Sequence, residues 1–539
     1  MEQKMSLYEV TDVVTRTVMP PTKVWFLCVI SLFTLVACFV SAWIYQIWQG
    51  MGVAGLNHPV CWGLYIASFI FWVGIAHSGT LISAILYLVR ASWRKAVGRA
   101  AEAMTVFAVL TAGLFPLIHL GRLWVFVFIL PYPSDRQLWP NFTSPLVMDV
   151  VAVTTYLTVS SIFWYVGLIP DLAQVADHFE EVFVKDSLRT KIYRILSFGW
   201  SGSSSEWRHY DRSYLFFSAL ATPLVISVHS IVSWDFAVSH LPGWHTTLFA
   251  PYFVAGAIHS GLAMVLTLVI PMRSILKLKL VITEKHLEQL SKTILVTTMI
   301  IGYAYVIEPW TSFYSGDRFE IAFAKWRFSG ELSLIYYLLP LLNVIIPSLF
   351  FIKRIRTNLV ITFIISIIIN IGMWLERYFI VTASLSHDFM PHNWGSYLPR
   401  PVEIIIAVGT FAWFFMLFLI FTRFFPTVAQ NEMKEEMIEN ELAGFSMEPF
   451  ENLPRQDKAE EKNYLTLVFD NPRKMLRALK TLVDLGYKEL EVFTPMKIRE
   501  VEAILGKNDS PVRYVTFFGA AIGCIGGFFL PIFSASVNG

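Results

Sequence analysis

Ten apolar runs, each near the roughly 20 residues needed to cross a hydrocarbon layer about 30 Å thick, fill most of the first 425 residues of this 539-residue chain. They fall near 24–47, 60–89, 99–121, 144–169, 213–237, 249–271, 293–310, 331–352, 358–382 and 401–424, and are numbered here as spans 1 to 10. Backbone polar groups in lipid have only one another to bond, so runs of this kind read as helices. The expected fold is an all-α polytopic membrane protein. With 55% hydrophobic and 15% charged residues, and a mean hydropathy of +0.56, the chain is too apolar for an ordinary soluble domain, and the excess faces lipid. A formal net charge of +2 gives no sign of a nucleic-acid partner. The distribution of charge along the chain carries the information instead.

Basic residues resist translocation, so Lys- and Arg-rich loops mark the cytoplasmic side. Loop 90–99 holds Arg90, Arg94, Lys95 and Arg99; loop 170–212 holds Lys185, Arg189, Lys191, Arg194, Arg208 and Arg212. Loops 273–292 and 353–356 are similarly basic, whereas 48–59 and 239–248 have neither Lys nor Arg. Loop 122–143 has only Arg122 and Arg136, and loop 311–330, with Arg318, Lys325 and Arg327, is a mild exception. Residues 1–23 are therefore expected to form a cytoplasmic N-terminal segment, with both ends of the 24–425 body inside. The first run has full spanning length and reads as an anchor rather than a cleaved signal. Cys28, Cys38, Cys61 and Cys524 lie in or beside apolar runs without C-x-x-C spacing, so no metal, haem or iron–sulfur cluster is expected in this chain.

Two stretches repeat. Gly74–Arg90 (GIAHSGTLISAILYLVR) and Gly256–Arg273 (GAIHSGLAMVLTLVIPMR) place a His-Ser-Gly early in spans of the same direction, 182 residues apart. Spans 2–5 and 6–9 then form two parallel-repeat four-helix bundles, with Trp234-Asp235-Phe236 as the counterpart of Trp374-Leu375-Glu376-Arg377. Repeats of this kind place their shared interface in the middle of the protein.

Past the body the composition changes. Residues 426–463 read as a charged cytoplasmic linker, and 464–510 as a small domain. Tyr464–Phe469 alternates like a strand, Asn471-Pro472 opens a helix and Gly486 closes it, Glu489–Phe493 is a second strand and Lys497–Leu505 a second helix, giving a βαβα order. An eleventh apolar run, Val512–Phe533 within 511–539, is expected to cross the membrane once more.

Ionisable groups inside spans cost about 2.5–3.5 kcal/mol each on insertion scales, so they are paired or functional. Here they gather toward the outer side: His119 ends span 3, Asp149 starts span 4, Asp235 ends span 5, Glu308 ends span 7, Glu376 and Arg377 are late in span 9, and Glu403 starts span 10. Arg122 follows His119 by one turn, while His77 and His259 lie deeper; the inner half has few comparable groups. A histidine with a nearby carboxylate under a roof of Trp and Phe can take protons from a quinol hydroxyl as electrons leave. The alternative is a structural polar knot of His119, Arg122 and Asp149, with His77 and His259 as satisfied packing histidines. Glu376 and Arg377 are adjacent and point about 100° apart, so each is expected to need its own partner.

His77–Arg122 (HSGTLISAILYLVRASWRKAVGRAAEAMTVFAVLTAGLFPLIHLGR) and Leu138–Ala173 (LWPNFTSPLVMDVVAVTTYLTVSSIFWYVGLIPDLA) resemble the polysulfide-reductase membrane-subunit (NrfD-like) superfamily, and within it the large quinol-binding subunit of bacterial alternative complex III. The resemblance covers roughly 20–425. The stretch YLTLVFDNPRKMLRALKTLVDLGYKELEVFTPM, then GAAIGCIGGFFLPIF, resembles the N-terminal portion of another subunit of that complex (ActD-like), so the chain resembles a fusion of the two; it stops after one such helix where the separate subunit has two. This implies a bacterial inner-membrane protein that oxidises menaquinol to menaquinone at the outer face. The implied partners are a periplasmic iron–sulfur subunit, multihaem and monohaem cytochrome c subunits, a homologous second NrfD-like membrane subunit and lipids. His119, Asp149 and Asp235 match the family's quinol-site residues, with His77, Arg122, Glu308, Glu376 and Arg377 as relay or structural groups.

Two other classes stay open. A transporter or proton channel needs polar groups across the whole membrane, and the inner halves offer mainly Thr80, Ser83, Thr154, Tyr156 and Ser160. A scaffold would leave the quinol to the sister subunit.

Overall fold

The computed structural model describes residues 6–18, 21–129, 144–182, 188–442, 466–487 and 490–505. Among these, ten helices are long and apolar enough to span a membrane: Lys23–Gln49, Leu64–Leu88, Gly98–His119, Pro145–Glu181, Ser204–Ala237, Phe249–Ile275, Glu284–Tyr314, Ser333–Phe351, Leu359–Ser386 and Pro401–Phe424. Each falls on one of the ten apolar runs, and the span numbers carry over. Local chemistry sets many of the ends. Thr22 accepts from the Trp25 N–H at the start of span 1, Asn358 accepts from Val360 and Ile361 at the start of span 9, and Pro401 opens span 10, satisfying or removing donors that a first turn leaves orphaned.

The described residues form two compact units. The larger takes in residues 16–165 and 216–428. At its centre, spans 2 and 6 cross through the duplicated motif. Gly74 lies against Ala257 and Ser260, while Gly261 faces Ser78 and the Ile75 carbonyl so closely that an added Cβ would sit 2.3 Å from Ser78 Oγ. Small residues let two backbones approach where lipid offers no hydrophobic drive for association. The interface between the repeats is thus made by the repeat signature itself. Span 1, by contrast, exposes Val24, Phe26, Leu27, Ile30 and Phe33, the composition of a lipid-facing surface.

The smaller unit takes in residues 6–15, 166–215 and 429–505, as far as these are described. The charged stretch after span 10 opens as a helix, Gln430–Leu442, whose Ile438 and Leu442 join Leu476, Leu479, Met496, Ile498 and Val501 in one apolar core. Asn471 caps the helix Pro472–Asp484 by accepting from the Arg473 N–H, and Gly486 leaves it with a φ of +91°, as the sequence suggests.

The βαβα order is not found. Among the described residues this region contributes two helices, Pro472–Asp484 and Arg499–Ile504, and no strand. Phe493 makes an isolated antiparallel bridge to Ser203, with the Ser204 N–H donating to the Val492 carbonyl at 2.8 Å and the Thr494 N–H to the Gly202 carbonyl at 3.0 Å. The segment read as a second strand thus pairs its edge with the loop before span 5, and a strand exists only through its ladder. The starts of Tyr464–Phe469 and of Glu489–Phe493 and the whole of Val512–Phe533 lie outside the described residues.

Candidate functional site

The start of span 4 and the end of span 5 bring together two of the three candidate residues of the first repeat. Asp149 and Asp235 face each other within side-chain hydrogen-bonding reach. Asp149 is buried, and each residue keeps an Oδ1 without a hydrogen-bond partner. An ionised carboxylate only accepts, so a hydrogen bond between two carboxyls requires a proton on one of them. Beside Asp235, Phe236 packs edge-on to Trp62 at 5.8 Å and to Trp244 at 4.8 Å.

His119 closes span 3, with Nδ1 buried and unpartnered. Its position is held from behind: Gln46 Nε2 donates to the Ile118 carbonyl at 2.9 Å, and the Tyr65 hydroxyl donates to Gln46 Oε1 at 2.5 Å. Gly121 then turns the chain at a φ of +73°, a conformation open to glycine. Arg122 is exposed.

The middle of the larger unit is more polar than the sequence suggests. The His77 ring lies 4.8 Å from that of His229 and 5.2 Å from that of Tyr156. His77 Nδ1 bonds to the Val73 carbonyl, which makes that nitrogen the donor; Nε2 makes no aligned hydrogen bond. Tyr156 shares a 2.7 Å hydrogen bond with Thr80 and donates to the Ala76 carbonyl at 3.0 Å. His229, fully buried with both ring nitrogens unpartnered, went unnoticed in the sequence. The rule that flagged its neighbours, an ionisable group inside a span, applies equally to it. His259, the repeat partner of His77, pairs with Thr297 at 2.9 Å.

The start of span 3 also holds a charged pair: Arg99 donates to Glu102 at 2.6 Å, with both side chains nearly inaccessible. It opens span 3, where the sequence reads as the end of a basic loop.

In the second repeat Glu376 and Arg377 approach one another, and each also has a partner of its own. Arg377 Nη1 and Glu376 Oε1 approach to 3.2 Å, yet neither atom has an aligned hydrogen bond, which is how adjacent residues diverging around a helix meet. Glu376 Oε2 instead accepts from the Tyr305 hydroxyl, and Arg377 lies 4.3 Å over the Phe253 ring. Glu308 forms an ion pair with Arg327 at 2.7 Å. No group of three or more His, Cys, Asp or Glu suited to a metal is found among the described residues.

Comparison with known proteins places this geometry in context. The family model described as "Polysulphide reductase, NrfD" matches residues 52–387, and that described as "Alternative complex III, ActD subunit" matches residues 463–538. A putative dimethyl sulfoxide reductase membrane subunit of Halobacterium salinarum is 27% identical over 241 residues, covering 44% of this chain and 49% of that protein. A selenate reductase subunit of Mesobacillus selenatarsenatis is 25% identical over 228 residues, covering 41% and 50%. The chain spans about half the length of these curated relatives.

Proposed function

The chain belongs to the polysulphide reductase NrfD family and carries an ActD region of alternative complex III; from that premise we propose that it is the subunit of such a complex that oxidises menaquinol near the outer face of a bacterial inner membrane. The observation that carries the reading is the facing pair Asp149 and Asp235 at the outer end of the first repeat. Quinol oxidation releases two electrons and two protons. The His119 imidazole, with its free buried nitrogen, accepts one proton. The carboxyl pair, which needs one proton to hold together and has a second oxygen set to fill, accepts the other. The electrons leave to an iron–sulfur subunit outside the membrane and on to cytochrome c subunits. The other membrane part of the assembly is a homologous NrfD-like subunit, and the N-terminus faces the cytoplasm.

The test is quinol:acceptor turnover by the isolated complex carrying His119→Ala, with assembly checked by subunit stoichiometry. The reading expects an intact complex with turnover lost. Turnover near the unaltered level makes His119 a structural residue and moves the site to the sister subunit.

A second reading, proton conduction, is favoured by one observation: the buried Arg99–Glu102 pair lies on the same span as Thr105, which donates to the Ala76 carbonyl at 2.8 Å beside Tyr156 and His77. These groups form a polar series from the inner end toward the centre of the first repeat.

A further inference from the structure

The second repeat contains a cavity of about 490 Å³ that the proposed site does not use. From its walls and its opening we propose that it is a second binding pocket, for a flat aromatic ring bearing oxygen substituents on an apolar tail: the chemistry of a quinone or quinol headgroup. The argument rests on spans 6 to 9 alone and stands apart from the first-repeat reading.

The floor is built by a local irregularity. Span 8 carries a π-helical turn at Leu341–Ile345, a feature that concentrates at functional sites because the extra residue re-aims a side chain. Here it buries Asn343, whose Nδ2 donates to the Tyr305 hydroxyl at 2.8 Å, and that hydroxyl in turn donates to Glu376. Gly372 allows the approach, since a Cβ there would lie 2.2 Å from Asn343 Oδ1.

The polar groups lining the cavity are incompletely used. Glu376 is fully buried and its Oε1, though 3.2 Å from Arg377 Nη1, has no aligned hydrogen bond; Arg327 is 5% exposed and its Nε and Nη2 have none. A ligand that suits both must donate to a carboxylate and accept from a guanidinium, as a ring with hydroxyl and carbonyl oxygens can. Tyr252, Tyr305, Phe323 and Tyr336 supply flat aromatic surface for stacking. The volume lies in the range of small-ligand sites.

The opening faces lipid. On the water side, the helix Arg318–Ser329 forms a lid, capped by Asp317 and pinned by Glu320 to the Gly243 N–H at 3.0 Å and by Arg327 to Glu308. On the other side the lining includes Val306, Tyr337 and Ile345, which are 67%, 56% and 60% exposed on spans 7 and 8. A ligand arriving with its tail in the bilayer enters between these spans without crossing water.

The experiment is photolabelling of the intact complex in native membranes with an azido-naphthoquinone carrying an isoprenoid tail, followed by peptide mapping with and without excess menaquinone. The expected result is menaquinone-competed label on peptides from residues 302–345, retained in Asp149→Asn and reduced about tenfold by Val306→Trp. That variant adds bulk at the lip on a lipid-exposed position, and Ile345→Trp on the opposite lip serves as the second block. Competed label confined to first-repeat peptides, label in 302–345 that neither block reduces, displacement by phospholipid as effective as by menaquinone, or no competed label at all overturns the pocket. Label in 302–345 with none in the first repeat supports it while removing the site proposed there.

Discussion

Glu403 Oε2 accepts a 2.6 Å hydrogen bond from the backbone N–H of Gly55, tying the start of span 10 to the loop after span 1. The same side chain accepts from the Tyr397 hydroxyl at 2.7 Å and from the Arg400 N–H at 3.0 Å. It is fully buried. A carboxylate offers about four acceptor positions, and three donors already fill most of them here, so Glu403 reads as a structural tie between span 10 and the loop after span 1. Hydrogen bonds to charged groups contribute about 1.5–3 kcal/mol each, and orphaned buried donors add their desolvation cost. Glu403→Ala should therefore destabilise the subunit by at least about 3 kcal/mol, seen as a lower melting temperature and lower assembled yield. Turnover per assembled complex should stay unchanged; normal assembly with lost turnover would return Glu403 to the reacting site.

Asp149 and Asp235 behave as one unit if they share a proton. Replacing either with Asn keeps size and hydrogen bonding but removes the group that takes up the next proton. Each single variant should lose about 10²–10⁴-fold in quinol turnover, and the double variant should be little worse than either, because residues acting together are non-additive. Two losses that multiply, measured in steady-state kinetics on matched assemblies, would show that the carboxyls act independently.

Glu102 separates quinol oxidation from proton conduction. It lies near the start of span 3, paired with Arg99, at the opposite end of that span from His119. Glu102→Gln should leave quinol turnover within about twofold while lowering the number of protons released per electron in vesicles, if the polar series carries protons. An unchanged ratio would make the pair a structural anchor for the start of the span.

How much of this was readable in the sequence follows from what each level of structure depends on. The spans were legible because lipid allows few alternatives to a helix of about 20 apolar residues. The duplicated His-Ser-Gly was legible as a repeat, and the central crossing follows from its small residues. The meeting of Asp149 with Asp235 was not, because it depends on how two helices rotate about their axes, and apolar residues all round each span leave no stripe to fix that rotation. His229 was missed for a related reason: without a repeat counterpart or neighbouring charge, it reads as one polar residue in an apolar run. The strand at Glu489–Phe493 failed differently. Alternation predicts an extended segment, but which edge it takes is settled by the loop at Gly202–Ser204.

Lys434 makes the smaller unit sensitive to alkaline pH. Its Nζ donates to Gln174 Oε1 at 2.6 Å, and Asn431 next to it donates to Asp171 at 2.9 Å. Burial lowers the Lys434 ammonium from 10.5 to about 8, only partly offset by Asp171 and Asp177. A base whose folded value is depressed binds fewer protons folded than unfolded across the interval between the two values, so stability rises with pH there. Below about pH 8 the folded unit carries the full penalty of a buried ammonium, on the order of 3 kcal/mol; between about pH 8 and 10.5 that penalty fades. Amide-exchange protection in the helix Gln430–Leu442, corrected for the intrinsic rate, should therefore increase across that window. Lys434→Met should flatten the profile and raise protection at neutral pH, less the cost of leaving Gln174 Oε1 unpaired. Protection that falls as pH rises from 8 to 10.5 would mean that the charged form is the stabilising one and that the acidic neighbours outweigh burial.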